Sequence, residues 1–199
     1  MLQGEKTYLR PLEETDLELL RTWYNDQEVN FWANAAWPLS TMFSKNALAE
    51  RILEPGDAGA GLKDEYRYAI LTADKKMIGY AGFRQLNIPA RSATVFITIG
   101  DKAYWSRGYG SDALFTLAGY LFRQWNFYRL QLDTWDGNVR ALKAYEKVGF
   151  RIEGRLREAR YVLGQYRDAV LLGMLQKDFL ADHPELAPGS MPEAEKRNS

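Results

Sequence analysis

The residues best placed to do chemistry lie in two short stretches. In "YWSRGYGSDAL" (Tyr104–Leu114) an arginine precedes two glycines one residue apart, and an apolar helical pattern follows. Gly108 and Gly110 carry no side chain, so the backbone there can approach a ligand closely. The first N–H groups of a helix starting near Gly110 lack intrahelical partners, and the helix dipole makes that end partly positive. With the charge of Arg107 added, the turn suits an anion such as a pyrophosphate. The competing reading is a plain tight turn between a strand and a helix. In "NVRALKAYEKVGF" (Asn138–Phe150) Asn138 and Tyr145 are seven residues apart and share a helix face. The plain reading here makes Asn138 an N-cap, Tyr145 a core-edge residue and Gly149 a helix stop.

Other phosphate sites fit less well. A P-loop needs a longer loop ending in Gly-Lys-Ser/Thr, which is absent. A dinucleotide fold puts its glycines after the first strand, whereas this turn comes late, after a hairpin. Composition narrows the chemistry further. The 199 residues suit one domain, with 46% apolar and 26% charged residues. Lys plus Arg equals Asp plus Glu at 26 each, which argues against a nucleic-acid partner. No apolar run reaches the length of a membrane span. "MLQGEKTYLRPL" lacks a basic region followed by an apolar stretch, so no secretory signal is expected and a cytoplasmic protein is the default. There is no cysteine and one histidine, His183. Thiolate nucleophiles, zinc–thiolate sites, Ser–His hydrolysis and multi-histidine metal sites are set aside, and no metal is expected.

The elements that must position these stretches read as follows. "TYLRPL" is a first strand, and Thr15 with Glu18 forms a T-x-x-E capping box for a helix over about 15–25. Residues 26–40 read as irregular and aromatic. Ser40 caps a second helix reaching about Leu53, and "EPGDAGAGLKDE" is a loop. "YRYAILT" and "MIGYAGFRQL" form a hairpin, and "SATVFITIG" is a third strand. A helix spans about Ser111–Trp125, "RLQLDTW" is a strand, and Asn138 opens another helix. The stretch "FRIEGRLREARYVLGQYRDAVLLGMLQ" is two strands about Gly164. One domain over 1–182 is expected, with a flexible polar tail over 183–199. The strand–helix–strand unit over 93–134 requires a parallel pair with a right-handed crossover, so the sheet is mixed.

"WSRGYGSDA" followed by "NVRALKAYEKVGF", in this order and separation, resembles the GNAT N-acetyltransferases. The likeness is to the branch of ribosomal-protein N-terminal acetyltransferases and spermidine acetyltransferases. "YLRPLEETDLELLRTWYNDQEV" and "EGRLREARYVLGQYRDAVLLGML" extend it over about residues 6–180. The resemblance implies an α/β fold with a mixed, mostly antiparallel sheet of about seven strands. Helices cover both faces, and a central parallel pair is splayed. A homodimer is in keeping with it.

The resemblance also implies a site. Backbone amides of Trp105, Ser106, Arg107, Gly108, Tyr109, Gly110 and Ser111 bind the pyrophosphate of acetyl-CoA. The family often has Gln or Arg where Trp105 stands. Thr98, Ile99 and Gly100 pair with the pantetheine arm, Asn138 hydrogen-bonds the cofactor nearby, and Tyr145 sits by the thioester sulfur as the general acid. Without cysteine, the acetyl group passes directly to a primary amine, and a strand amide near Ile99 meets the oxyanion. The family often has a Glu at the position of Thr94. Its absence leaves Glu158, Asp133 and Asp168 as candidate bases, and a non-catalytic acyl-CoA sensor as the alternative. Phe31, Trp32 and Trp37 are candidate acceptor-slot residues. "ANAAWP" carries no acidic cluster, so the expected acceptor is a peptide α-amine or a small metabolite amine, with a polyamine or aminoglycoside as the alternative.

Overall fold

The computed structural model describes residues 1–34, 44–53, 57–59, 62–63 and 65–186. The chain opens with strands β1 (Leu2–Gln3) and β2 (Tyr8–Pro11). Helices α1 (Leu17–Asn25), α2 (Gln27–Asn34) and α3 (Lys45–Leu53) follow. The short strands β3 (Asp57–Gly59) and β4 (Leu62–Lys63) pair only with each other. Then come β5 (Glu65–Leu71), β6 (Met77–Asn87) and β7 (Ser92–Ile99). Helix α4 (Tyr109–Arg123) crosses over to β8 (Arg129–Trp135), and α5 (Val139–Val148) leads to β9 (Arg151–Val162). The described chain closes with β10 (Gln165–Leu175), α6 (Gln176–Asp182) and a 3-10 turn, Pro184–Leu186, whose Leu186 packs on the core.

The main sheet has eight strands in the order β1-β2-β5-β6-β7-β8-β10-β9, mixed and mostly antiparallel as the sequence implies. Alternation along β5 shows why it has two covered faces. Ile70 joins Ile78, Phe83, Leu114, Leu117 and Leu121 beneath α4, whereas Ala69 and Leu71 join Leu20, Trp23 and Leu48 beneath α1 and α3.

The α1 cap differs from the sequence expectation. Thr15 lies within a 3-10 turn, Glu14–Asp16, and Glu18 pairs with Arg21. The capping box is instead Glu13–Asp16 on that turn, the Glu13 N–H donating to the Asp16 carboxylate at 2.9 Å while Arg10 grips it at 2.7 and 2.8 Å. The segment read as irregular contains α2, where Asp26 Oδ1 accepts from the N–H groups of Glu28 and Val29. Ser40 lies outside the described residues. Ser44 Oγ accepts from Ala47 N–H at the start of α3.

The pairing of β7 with β8 decides the rest. They are parallel, and their register covers only Ser92↔Arg129, Ala93↔Leu130 and Thr94↔Gln131. Beyond that point β7 stays on β6 as far as Gly79↔Ile99, and β8 stays on β10 as far as Trp135↔Ala169. The two strands diverge, and the sheet opens between them.

Candidate active site

A cleft of about 620 Å³ occupies the opening, between the end of β7, the start of α4 and α5. Backbone polar groups on the facing edges of β7 and β8 have lost their ladder partner, and such groups call for a substitute. Ile97, Thr98 and Ile99 line the gap on one side and Asp133 and Thr134 on the other. One group is already satisfied, since the Trp105 indole N–H donates to Ile99 O at 2.7 Å. Gly100 is a glycine for packing reasons, because a methyl there would overlap the Trp23 indole.

At the far end the gap meets α4. Gly108 is the N-cap at φ 85, and Ser106 before it is at φ 58, so the turn is built from left-handed backbone. Asp112 N–H bonds Gly108 O, which leaves the amides of Tyr109, Gly110 and Ser111 without intrahelical acceptors. Trp105, Ser106, Gly108, Gly110 and Ser111 all line the cleft. Arg107 is exposed on the turn.

At the other end Tyr145 projects from α5 into the cleft. Burial, and then the charge of Asp133, push its phenol up to about 12, so it is fully protonated near neutrality. Asn138 also lines the cleft, but its amide is engaged. Nδ2 donates to Trp32 O at 2.9 Å and Thr134 Oγ1 at 3.3 Å, while Oδ1 accepts from Ala141 N–H at 3.3 Å. It caps α5 and ties α2 to it. Trp32 lines the cleft, stacked on Trp135 at 5.9 Å with the Arg140 guanidinium over its face. Phe31 packs edge-on against Trp32 and Trp135. Trp37 lies outside the described residues.

The candidate carboxylates separate. Asp133 lines the cleft and is ion-paired with Arg160. Glu158 and Asp168 do not line it. They share a bulge between β9 and β10, where Glu158, at φ 54, donates its N–H to Asp168 Oδ1 at 3.0 Å. Thr94 sits in the last paired rung, buried, accepting from Gln131 Nε2 at 3.3 Å.

Sequence reasoning missed the cations around the cleft. Arg140, Lys143 and Lys147 line it from α5. Arg140 and Lys147 are seven apart, with Lys143 between, so the face logic applied to Asn138 and Tyr145 reaches them too. Lys6, whose Nζ donates to Arg107 O at 3.1 Å, had no sequence signal, because it stands 101 residues away. Among the described residues no cluster of three or more His, Cys, Asp or Glu could hold a metal. Nor is any described helix long and apolar enough to cross a membrane.

Comparison with known proteins agrees with this geometry. A family model described as an acetyltransferase (GNAT) domain matches residues 6–151. The spermidine N(1)-acetyltransferase of Escherichia coli K12 is 28% identical over 193 residues, covering 92% of this chain and 93% of that protein. A probable N-acetyltransferase of Bacillus subtilis 168, YjcK, is 27% identical over 180 residues, covering 89% and 98%. The crystal structure of spermidine N-acetyltransferase from Vibrio cholerae in complex with CoA and spermine has the same fold. Its TM-score is 0.76 at 24% identity, covering 87% of this chain and 98% of that one.

Proposed function

This chain belongs to the GNAT acetyltransferase family, and on that premise we propose that it acetylates a primary amine carrying little further positive charge, either a peptide α-amine or a small metabolite amine. The transfer itself, from acetyl-CoA to an amine, is the family's activity. The observation that carries the assignment to this cleft is the divergence of β7 from β8 after Thr94, opening onto the bare amides of α4 with Tyr145 in the gap.

The residues present fit acetyl-CoA. The α4 amides, Arg107, Lys143 and Lys147 are suited to its phosphates, and the open edge of β7 to an amide-bearing arm. Bound there, it supplies an activated acyl thioester. Without cysteine an acetyl-enzyme thioester is excluded, and the simplest route is direct attack by the amine with the two reactants held together. Tyr145 holds a proton at its phenol oxygen inside the cleft and is the group suited to giving it to the departing sulfur. Asp133 is the candidate carboxylate for drawing a proton from the amine, directly or through water.

Charge supports the choice of acceptor. Among the described residues the cleft presents one carboxylate, Asp133, and Arg160 already neutralises it. Arg140, over the face of Trp32, adds positive charge there, so a polycation meets repulsion with little to offset it. An α-amine, with a pKa near 8, is also about a tenth free base at pH 7, whereas a polyamine nitrogen near 10.4 is well under 1%. A second reading, a polyamine acceptor, is favoured by the names of the relatives in Escherichia coli and Vibrio cholerae. A panel of N-terminal peptides, amino acids, aminoglycosides and spermidine, at fixed acetyl-CoA and followed by CoA release, separates the two. The first reading expects kcat/KM for a singly charged amine to exceed that for spermidine, and a reversed order replaces it with the second. We also propose action in the cytoplasm as a homodimer. A solution mass near 22.9 kDa would show a monomer instead.

A further inference from the structure

One carboxylate fastens the N-terminal segment to the first turn of α4. Asp112 Oδ1 accepts from Glu5 N–H at 3.0 Å. Its Oδ2 accepts from Lys6 N–H at 3.0 Å, Thr7 N–H at 2.9 Å and the Thr7 hydroxyl at 2.6 Å. Gly4 closes the turn, its N–H donating to Thr7 O at 2.8 Å. A methyl at Gly4 would press on the Asp112 carboxylate and the Thr116 hydroxyl. Three successive amides on one carboxylate fix the backbone of Lys6 and therefore the place from which its side chain starts.

That side chain reaches the glycine turn. Lys6 Nζ donates to Arg107 O at 3.1 Å and lies 3.5 Å from where a Cβ on Gly108 would be. An ammonium has three donors, so two stay available. Among the described residues no carboxylate lies within ion-pair reach of it, although eight other described lysines and arginines have one. The location is electrostatically awkward. Cations at a helix N-terminus oppose the dipole, and Arg107, Lys143 and Lys147 stand near the same end. Such a set becomes favourable when an anion sits among it.

We propose that Lys6 is a specificity-determining contact for the phosphates of CoA, delivered to the glycine turn by the Asp112 anchor. This rests on the reading that the cleft binds acetyl-CoA. The cation then serves the acyl carrier and not the acetyl group, and it distinguishes CoA thioesters from thioesters lacking phosphate.

Isothermal titration of wild type, K6M and K6R with CoA, 3′-dephospho-CoA and pantetheine tests this, alongside the melting temperature of each free protein. K6M is expected to weaken CoA about fivefold to tenfold, the loss growing at low salt, with K6R within about twofold of wild type. Pantetheine binding and the free protein's melting temperature stay unchanged. A loss that persists with 3′-dephospho-CoA assigns the pyrophosphate. A loss confined to CoA assigns the 3′-phosphate, and either supports the proposal. If Asp112 acts through Lys6, D112N weakens CoA in the wild-type background and has little effect in the K6M background. The proposal is overturned if K6M binds CoA as wild type does, or if pantetheine weakens by the same factor. Failure of wild type to bind CoA at all would instead remove the cofactor reading underneath it.

Discussion

At the scale of single residues, the proposed chemistry turns on Tyr145 and Asp133. Burial raises the phenol's pKa, and the carboxylate across the cleft raises it further, to about 12. The phenol therefore never ionises in the working range and is always a donor. Replacing it, Tyr145→Phe, removes one oxygen from a side chain that still packs on Phe150. We expect kcat to fall about 100-fold, the range for a lost general acid, with CoA affinity retained. Steady-state kinetics with a parallel CoA titration checks this, and equal losses in both would mean that Tyr145 only shapes the cleft. The pH consequence has a definite sign. Near neutral pH the phenol is protonated in folded and unfolded chains alike, and no pH dependence arises from it. Between about 10 and 12 the folded protein keeps the proton that the unfolded chain releases, so this contribution to stability declines as pH rises through that window.

At the scale of elements, the start of α4 asks different things of its two glycines. Gly108 is at φ 85, a conformation that costs a non-glycine residue about 1–2 kcal/mol. A Cβ on Gly110 would meet Ile99 Cγ1 at 3.6 Å, an ordinary contact. Gly108→Ala should therefore lower stability by about that amount and weaken CoA, while Gly110→Ala leaves the fold intact. Denaturant titration of both variants measures the difference. The turn was legible because its glycines, its cation and the apolar period of α4 all lie within a few residues of one another. So were α5, β2 and β5 to β10, whose periods and stops are local, whereas β1 was not foreseen and β3 and β4 fall in the stretch read as a loop. Less legible was α2, where aromatic residues hid a helix that Asp26 caps. Also missed was α6, seven residues held by Phe179 against Phe115 and Phe122. The Thr15–Glu18 box failed because Glu13 and Asp16, the latter held by Arg10 from a neighbouring strand, form a capping box on the 3-10 turn before α1. Lys6, which reaches the glycine turn, and the Asp133–Arg160 pair were invisible for a related reason, since only the folded sheet brings their partners together.

At the scale of the molecule, the sheet is two blocks. One runs from β1 to β7 and the other comprises β8, β10 and β9. A ligand lying in the gap takes the place of a strand, so its effect should be read along the seam. We expect CoA to slow amide hydrogen exchange at Val95–Ile99 of β7 and in the first turn of α4, and to leave the outer edge of β9 unchanged. Protection spread evenly over both blocks would show that the ligand tightens the whole fold and does not fill a seam.

Among the described residues the three rungs from Ser92↔Arg129 to Thr94↔Gln131 are the only ladder pairing that joins these blocks, with the Tyr128 N–H donating to Arg91 O just before it. The rest of the join is side-chain packing, since Ile78, Phe83 and Val95 share one core with Leu130, Leu132 and Val170. On the proposed reading, β7 and α4 hold the carrier together with Lys143 and Lys147 of α5, and the β9–β10 hairpin lies beyond β8, outside the cleft's lining. A substitution that reshapes the hairpin has few hydrogen-bonded rungs along which to disturb the glycine turn.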